Sequence, residues 1–519
     1  MIILYNPQSS AGKKRILPMS LLALGALLEG EHDYVIVDGN VEVDPLARLD
    51  GLIRERGARV LAMTVMPGPQ LSQAVPLSRE IKARHPDVTI VWGGYFPTQH
   101  YDVCLRAPYV DYVVRGHGEF IFKALVDALT RGDAPPFMPG LVSRTAVAGD
   151  RLKVEGSSPE HQPSTFNPSI GSGQALHPST GLGIAPIPQP DSLPDFPYHR
   201  LDMSLYLRRT FMGERTIPHH SSYGCPFLCN FCAVVNMVNG RWLAQSAERT
   251  ATVVRRLVGD YGADAVEFYD NNFFVHQART VEFAERILDL GIGWWGEARI
   301  DTMLKYSDET WRLMAKSGLQ MVFLGAESGS DETLQRMNKG GTATAAKTLE
   351  IAAKMKAYGI VPEFSFVLGN PPDPEADIRT TVEFIRKVKQ VNSASEIIMY
   401  MYTPVPLAGE LYDQAKAEGF QFPETLEGWI SPEWADFSQR RSVTMPWLQD
   451  PLRQGLHDFE RVLNAYYPTA TDQKLTRTWR WVLKAASAWR YHLRFYRYPL
   501  ELRALHKVLA YQRPETSGF

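Results

Sequence analysis

The sequence lacks several features that would assign it to common classes of protein. No apolar run approaches the roughly 20 residues that span a bilayer, and residues 1–10 show no basic region followed by a long apolar stretch. Only four of the 519 residues are cysteines, too few for a secreted disulfide scaffold. A formal net charge of −2 gives no overall attraction to nucleic acid. We therefore expect a cytoplasmic protein without a nucleic-acid partner.

The hydrophobic pattern predicts an α/β protein with four regions. In residues 1–130, short apolar strands alternate with helical segments, which predicts a doubly wound, Rossmann-like parallel sheet. Residues 131–205 are rich in proline and glycine and are predicted to be a linker. Six more strand–helix units in residues 206–420 predict a partial (β/α)6 barrel whose site opens at the carboxyl ends of its strands. Residues 421–519 are predicted to form a mostly helical extension.

Three of the cysteines, Cys225, Cys229 and Cys232, lie in GCPFLCNFC directly after the first predicted barrel strand. Three thiolates leave one iron of a 4Fe-4S cluster open, whereas electron-carrier clusters take four cysteines. An open iron can bind the amino and carboxylate groups of a methionine-type cofactor. A zinc site completed by His219 or His220 is the alternative, since zinc favours four nitrogen or sulfur ligands. The compact C-x3-C-x2-C spacing favours the cluster.

This loop resembles the signature of the radical SAM superfamily, and the resemblance extends over about residues 216–420. It implies that Phe231 lies near the adenine of S-adenosylmethionine. Gly325, Glu327 and Ser328 resemble the motif that binds the amino group of this cofactor, although Ala326 replaces a second glycine of that motif.

Two further positions occur where such enzymes often place contacts to the carboxylate or ribose of the cofactor. Arg299 ends the third barrel strand, and Ser365 lies on the fifth, two residues after Glu363. The alternative for each is a polar residue at a strand end that faces solvent or caps a helix.

Two loops of the first domain, VWGGYFPTQH and VVRGHGEF, resemble those of cobalamin-binding domains fused to radical SAM barrels. Glycines after a strand let the backbone approach a bulky ligand closely. No G-x-G-x-x-G follows the first strand, which is unfavourable for a dinucleotide. A domain that binds a nucleotide, or no ligand, is the alternative. The resemblance implies a set of cobalamin-binding residues, namely Thr64, Gly93, Gly94, Thr98, Gly116 and Glu119.

The D-x-H-x-x-G motif that supplies a histidine to cobalt in many cobalamin proteins is missing. The resemblance therefore implies a lower cobalt face without that histidine. We interpret His100 and His117 as hydrogen-bonding or solvent-facing groups rather than cobalt ligands. Cys104 is expected to act as a small buried hydrophobic residue.

The C-terminal segment 474–513 is basic, aromatic and predicted to be helical. One interpretation is a helical cap whose cationic face is solvated. The other is an element that contacts a membrane surface or a lipophilic substrate.

Together these parts resemble cobalamin-dependent radical SAM enzymes. The resemblance implies a 4Fe-4S cluster, S-adenosylmethionine, cobalamin and a reductant such as a flavodoxin or ferredoxin. In methyltransferase members, a deoxyadenosyl radical abstracts a substrate hydrogen, and methylcobalamin then methylates an unactivated carbon, here of a small or lipophilic metabolite. The alternatives are a non-methylating oxidoreductase or cyclase of the same family and, from another class, a non-catalytic cobalamin or metal sensor.

Overall fold

A computed structural model describes residues 1–9, 15–144, 183–339, 341–406, 409–434, 445–469, 471 and 475–509. Its N-terminal sheet has the order β2-β1-β3-β4-β5-β6, in which β1 to β5 run parallel and β6 runs antiparallel to β5. The strands are β1 Ile2–Asn6, β2 Tyr34–Asp38, β3 Val60–Thr64, β4 Thr89–Gly93, β5 Tyr112–Val114 and β6 Leu141–Ser143. Their apolar runs are buried because helices cover both faces of the sheet.

The helices of this region begin and end at residues that suit those positions. In Pro45–Arg56, for example, the Asp44 side chain accepts a hydrogen bond from the Ala47 amide, and Gly57 ends the helix in a left-handed conformation. The helices are Met19–Leu28, Pro45–Arg56, Pro69–Arg84, Tyr95–Gln99, Tyr101–Arg106 and Glu119–Arg131. The doubly wound domain predicted from the sequence is thereby confirmed.

The predicted linker contains more regular structure than its proline content indicated. Residues 141–143 form strand β6 at the sheet edge, where few ladder hydrogen bonds are required. Gly116 also forms a parallel bridge with Ala185. Three short 3-10 helices, Pro190–Ser192, Tyr198–Arg200 and Met203–Leu205, then lead towards the barrel. Residues 145–182 lie outside the described part of the chain.

The second sheet is a six-stranded parallel sheet of order β14-β13-β12-β11-β10-β7. Its strands are β7 Thr216–His219, β10 Ala265–Phe268, β11 Gly293–Ala298, β12 Leu319–Glu327, β13 Val361–Leu368 and β14 Glu396–Met401. A separate antiparallel pair, β8 Ser222–Gly224 and β9 Trp242–Ala244, flanks the cysteine loop. These strands confirm the predicted six-unit partial barrel.

Helices connect and cover the barrel strands. They are Val234–Val238, Ala247–Tyr261, Gln277–Arg286, Ile300–Met303, Asp308–Lys316, Asp331–Arg336, Ala345–Ala357 and Pro374–Val391. The helical extension that follows consists of Glu410–Ala417, Leu426–Trp429, Asp450–Tyr466, Arg477–Leu493 and Leu500–Val508. Among the described residues, none of the helices combines the length and apolarity required to cross a membrane.

Part of the helical extension contacts the N-terminal domain. The Trp429 ring lies 5.0 Å from that of Phe96 and 4.6 Å from that of His100, measured between centroids. The Tyr109 hydroxyl donates a hydrogen bond to Glu427 Oε1 at 3.1 Å. The extension therefore packs against the loop after β4 as well as against the barrel.

Candidate active site

The cysteine loop is held in shape by hydrogen bonds to the turn at residues 336–338. The Asn230 amide N–H donates to the Met337 carbonyl oxygen at 3.1 Å, and Asn230 Nδ2 donates to the Arg336 carbonyl oxygen at 2.6 Å. From the turn, Asn338 Nδ2 donates to the Leu228 carbonyl oxygen at 2.9 Å. The turn follows the strand that carries Glu327, so the loop and that strand form one unit.

Nitrogen donors lie beside two of the cysteine sulfurs. Asn272 Nδ2 is 3.9 Å from Cys225 Sγ, and Arg299 Nη1 is 3.5 Å from Cys229 Sγ. Burial raises the pKa of the Cys225 thiol and raises that of Cys232 to about 12. Metal binding must therefore replace a proton on these thiols. Donors to sulfur are also among the groups that tune the potential of iron–sulfur clusters.

The spacing of the sulfurs fits a cluster better than a single zinc ion. The three Sγ atoms do not all lie within 4.8 Å of one another, whereas zinc–sulfur bonds of about 2.3 Å would bring them to about 3.8 Å apart. His219, the alternative fourth ligand, directs Nε2 to Gln245 Oε1 at 3.2 Å. The wide spacing is therefore unfavourable for a single zinc ion, and the three-thiolate donor set fits the predicted 4Fe-4S group.

Glu327 lies at the end of β12 with a φ of 64°, beyond a register shift in the ladder with β13. Lys339 Nζ donates to its Oε1 at 2.6 Å, and Ser365 Oγ donates to its Oε2 at 3.4 Å. A Cβ on Gly325 would lie 2.1 Å from Glu327 Oε1, so a side chain at this position would displace the carboxylate. The predicted residues Gly325, Glu327 and Ser365 are therefore brought together.

Arg299 is buried and multiply bonded rather than facing solvent. Nε and Nη2 donate to the Asp301 carboxylate at 3.0 and 3.1 Å, and Nη2 also donates to the Lys339 carbonyl oxygen at 2.8 Å. Its guanidinium lies 3.8 Å from the Phe227 ring centroid. Arg299 thus connects the cysteine loop to the turn beside Glu327.

The other two predicted residues of this region occupy different surroundings. Phe231 is half-buried, and Lys339 Nζ lies 5.9 Å from its ring centroid. Ser328 is buried, and its hydroxyl accepts a hydrogen bond from the Ser330 amide at 3.1 Å. The Ser328 hydroxyl is therefore engaged in the turn that starts the next helix, and its predicted contact to a cofactor stays a prediction.

The predicted residues of the N-terminal domain come together at the carboxyl ends of β3, β4 and β5. Thr98 Oγ1 donates to the Gly94 carbonyl oxygen at 2.7 Å and accepts from the Gly116 amide at 3.0 Å, so it joins the two glycine loops. Gly94 has a φ of 96°, and a Cβ there would lie 2.8 Å from Thr64 Oγ1. Gly93 pairs with Thr64 in the strand ladder. Ligands of doubly wound domains bind at such strand ends.

Glu119 provides a test of whether a ligand fits here. Its side chain is buried, and Oε2 has no hydrogen-bond partner in the described structure. Oε1 lies 3.8 Å from His117 Nδ1, and the His117 ring packs on Tyr223 at 4.9 Å. A buried carboxylate oxygen needs a donor, and the amide groups around a corrin ring can supply one. The residues present therefore fit cobalamin.

The remaining candidates of this domain are enclosed by other side chains. His100 lies among the rings of Phe96, Phe422 and Trp429, and burial lowers its pKa to about 4. Cys104 is fully buried, which raises the pKa of its thiol well above the ordinary value. The burial of Cys104 is that expected of a small hydrophobic residue.

Two residues that sequence reasoning missed connect the two halves of the site. Gln99 Nε2 donates to the Ala233 carbonyl oxygen at 3.3 Å, and Asn236 Nδ2 donates to Gln99 Oε1 at 2.7 Å. Gln99 follows Thr98, and Ala233 follows Cys232. The cysteine loop and the glycine loop are therefore in direct contact across the domain boundary. No motif indicates this pairing, because the partners lie more than 130 positions apart.

Three aromatic residues on or directly after the barrel strands, Trp294, Trp295 and Tyr402, are buried. Trp294 is buried among phenylalanine rings, and its Nε1 donates to Ser317 Oγ at 3.1 Å. Tyr402 packs near Trp447. Trp295 differs, because its Nε1 donates to Glu363 Oε2 at 3.3 Å. Burial, together with the nearby Glu396 carboxylate, raises the pKa of Glu363 well above its usual range.

Comparison with known proteins assigns both halves of this architecture. A B12-binding domain model matches residues 13–126, and a Radical SAM superfamily model matches residues 220–385. A doubly wound domain joined to a parallel barrel with a three-cysteine loop defines the class of radical enzymes with two cofactor sites. The chain therefore combines a B12-binding domain with a Radical SAM domain, as cobalamin-dependent radical SAM enzymes do.

Individual relatives agree with this assignment. The chain is 26% identical to an uncharacterised methyltransferase of Pyrococcus horikoshii, over 75% of this chain and 78% of the relative. It is also 26% identical to the anaerobic magnesium-protoporphyrin IX monomethyl ester cyclase of Synechocystis, over 66% of this chain but only 63% of the relative. The fold is similar to that of the radical S-adenosylmethionine methyltransferase TsrM from Kitasatospora setae, with a TM-score of 0.61, 16% identity, and coverage of 85% and 82% of the two chains.

Proposed function

We propose that the protein transfers a methyl group from S-adenosylmethionine, by way of cobalamin, to an unactivated carbon of a small or lipophilic metabolite. The direct contact between the helix Tyr95–Gln99, which follows Gly94, and the segment that follows Cys232 is the observation that carries this proposal. It is made by Gln99, Ala233 and Asn236. It brings the two predicted cofactor sites together at one domain boundary. Proximity of this kind suits a reaction in which two cofactors act on one substrate.

Each part of the site has a separate task in this proposal. When bound, the cluster supplies the electron that cleaves S-adenosylmethionine, and cobalamin carries the methyl group. Cys225, Cys229 and Cys232 would hold the cluster, and Arg299 donates to the Cys229 sulfur. Glu327 holds the amino group of S-adenosylmethionine. Thr64, Gly94, Thr98, Gly116 and Glu119, at the carboxyl ends of β3, β4 and β5, would contact the cobalamin.

Anaerobic reconstitution followed by mass spectrometry tests the reaction. With the correct metabolite, we expect S-adenosylhomocysteine and deoxyadenosine in equal amounts and a product that gains one methyl group. Cleavage of S-adenosylmethionine coupled to oxidation of the metabolite, with no methyl group gained, would contradict the proposal.

That contrary result would support the second candidate, a non-methylating oxidoreductase or cyclase. A specific observation keeps this candidate open, since the chain is as similar in identity to the Synechocystis cyclase as to the Pyrococcus methyltransferase. The third candidate, a sensor without turnover, predicts a cluster that cannot cleave S-adenosylmethionine. The buried Glu327 and Arg299 support an enzyme instead, because a sensor needs no pocket for S-adenosylmethionine.

The helical extension has an exposed aromatic and basic surface, which favours a substrate that is lipophilic. Trp481 and Leu493 are 70% and 72% exposed on the helix Arg477–Leu493, which carries no acidic side chain. Further exposed groups on this helix and the segment after it are Trp489, Phe495, Tyr498, Arg477, Lys484 and Arg497. Exposed tryptophan, tyrosine and arginine are typical of elements that lie in the headgroup region of a bilayer. We include contact with an anionic membrane surface in the proposal, together with a cytoplasmic location.

Sedimentation of the full chain with vesicles tests this membrane contact. We expect binding to vesicles that contain phosphatidylglycerol and little binding to pure phosphatidylcholine. Replacing both Trp481 and Trp489 with Ala should lower the bound fraction at least about fivefold. Phe137→Ala is the matched control, because Phe137 is 86% exposed but lies outside this surface. Equal sedimentation of wild type and the double variant, or self-association through these tryptophans without vesicle binding, would contradict membrane contact.

The cluster also requires a reductant before it can cleave S-adenosylmethionine. A flavodoxin or ferredoxin would supply the electron for the cluster. Deoxyadenosine formation that depends on such a protein in place of dithionite is the expected result, and formation with neither present would contradict it.

A further inference from the structure

Lys339 and Glu327 form a buried ion pair beside the cysteine loop. Lys339 Nζ lies 2.6 Å from Glu327 Oε1, and the two side chains are only 6% and 8% exposed. A buried charge is costly unless it is paired, and removing one partner of a buried pair leaves the other uncompensated. A ligand that binds the Glu327 carboxylate must therefore also supply a negatively charged partner for the Lys339 ammonium.

The position of Lys339 is set by the cluster-binding region rather than by Glu327 alone. Its carbonyl oxygen accepts a hydrogen bond from Arg299 Nη2 at 2.8 Å, and Arg299 Nη1 contacts Cys229 Sγ. Asn338, the preceding residue, donates to the cysteine loop at Leu228. The Lys339 ammonium also lies 5.9 Å from the ring centroid of Phe231, which precedes Cys232. These contacts hold a positive charge between the cysteine loop and the acid that binds the cofactor.

The amino-acid end of S-adenosylmethionine carries one ammonium and one carboxylate. The Glu327–Lys339 pair offers one carboxylate and one ammonium, so the two groups are complementary in charge. If the cofactor ammonium alone met Glu327, Lys339 would lose its buried partner. A carboxylate also has two oxygens, so one would remain available to Lys339 if the other bound iron.

We propose that Lys339 binds the carboxylate of S-adenosylmethionine while Glu327 binds its amino group, so that the ion pair opens to receive both charges. This inference rests on the proposed function only in that S-adenosylmethionine is bound at Glu327. It assigns to Lys339 a direct binding role. The competing role is that of a structural counter-ion which only orients Glu327.

Two ligands separate these roles, S-adenosylmethionine and its decarboxylated analogue. A direct contact to the carboxylate predicts that Lys339→Met lowers the affinity for S-adenosylmethionine at least about tenfold, the size expected for a charge-assisted hydrogen bond. The same variant should bind the decarboxylated analogue within about twofold of wild type, or more tightly. A purely structural counter-ion predicts an equal loss for both ligands.

The measurement uses the reconstituted full-length protein and equilibrium binding. Its second readout is the concentration of S-adenosylmethionine that changes the electron paramagnetic resonance spectrum of the reduced cluster. Lys356→Met is the matched control, because Lys356 is exposed on the helix Ala345–Ala357 and donates to the Val391 carbonyl oxygen at 3.1 Å, away from Glu327. Equal losses for the two ligands, or no loss for S-adenosylmethionine, would overturn the proposal.

A second variant covers the case in which Lys339→Met does not assemble a cluster. Lys339→Arg keeps the charge and should keep the preference for S-adenosylmethionine over the decarboxylated analogue. Loss of that preference in a variant with full iron content would overturn the proposal. Neither readout involves a methylated product, so this inference and the methyl-transfer proposal can fail independently.

Discussion

The binding sites at the cysteine loop and at the glycine loops are built from different kinds of groups. Around the cysteines, polar side chains and charges are already paired, as in Arg299 with Asp301 and Lys339 with Glu327. Around Gly94 and Gly116, the main feature is backbone without side chains, joined by the single hydroxyl of Thr98. One site is defined by charged and polar side chains, and the other by the backbone of two loops. The two should therefore respond to different substitutions.

The largest expected effect is at a cysteine. Cys229→Ala should reduce deoxyadenosine formation below detection, because the cluster loses one of its three ligands. Bound cobalamin, measured by absorption after denaturation, should remain at the wild-type level. Cys104→Ala is the matched control, since Cys104 is buried in the other domain, and it should keep both cofactors. Loss of cobalamin from Cys229→Ala would show that the two sites are not separable.

The reciprocal variant is Gly94→Ala. Its Cβ would meet Thr64 Oγ1 at 2.8 Å and the Val65 backbone nitrogen at 3.1 Å, so this loop would have to move away from the end of β3. We expect at least about tenfold weaker cobalamin binding with unchanged iron content. Gly132→Ala has the same kind of strain, with a φ of 76°, but open space around its Cβ, and should keep cobalamin. Equal losses of cobalamin affinity in the two variants would mean that the strain of a left-handed backbone is responsible, and not the contact with Thr64 and Val65.

A smaller effect is expected at Gly325. The Cβ of Gly325→Ala would displace the Glu327 carboxylate and the Lys339 ammonium, so S-adenosylmethionine should bind about tenfold more weakly. Cobalamin content should not change. Gly259→Ala, in a barrel helix with nothing near its Cβ, should behave as wild type. Unchanged affinity for S-adenosylmethionine in Gly325→Ala would contradict the assignment of this acid.

The smallest effect concerns stability and pH. Burial lowers the pKa of His100 from 6.5 to about 4, with Asp102 opposing the shift. Between these values the unfolded state binds more protons, so the free energy of unfolding should fall as the pH drops from 6.5 to 4. His100→Phe retains an aromatic ring in the cage and should reduce this fall by about 1–3 kcal/mol in denaturant titrations. An identical pH dependence in the variant would exclude His100 as the cause.

This contrast also explains which parts could be predicted from the sequence. Cys225, Cys229, Cys232 and Glu327 were recognisable because ligand chemistry restricts the residue type and the local spacing. The parallel strands were recognisable from apolar runs, since both sheet faces are buried. Gly94 was recognisable only together with its neighbouring loop, because a glycine has many other uses.

Other parts depend on contacts between distant segments. Lys339 lies 12 positions after Glu327, beyond a helix, and lysines are usually solvated. The available signal was the sequence NKGG at positions 338–341, shortly after the strand that carries Glu327. Gln99 and Asn236 meet only because the two domains pack together. Strand β6 is three residues long and lies in a proline-rich segment, so periodicity could not identify it.

The central claim, one enzyme with two adjacent cofactor sites, is tested most directly by a cofactor count in anaerobically reconstituted protein. Iron, sulfide, zinc and corrinoid would be measured in the same sample, with the electron paramagnetic resonance spectrum recorded before and after S-adenosylmethionine. We predict one 4Fe-4S cluster and one corrinoid per chain, with a spectrum that changes on addition of S-adenosylmethionine. A zinc-loaded cysteine loop, or a chain that retains no corrinoid, would contradict it.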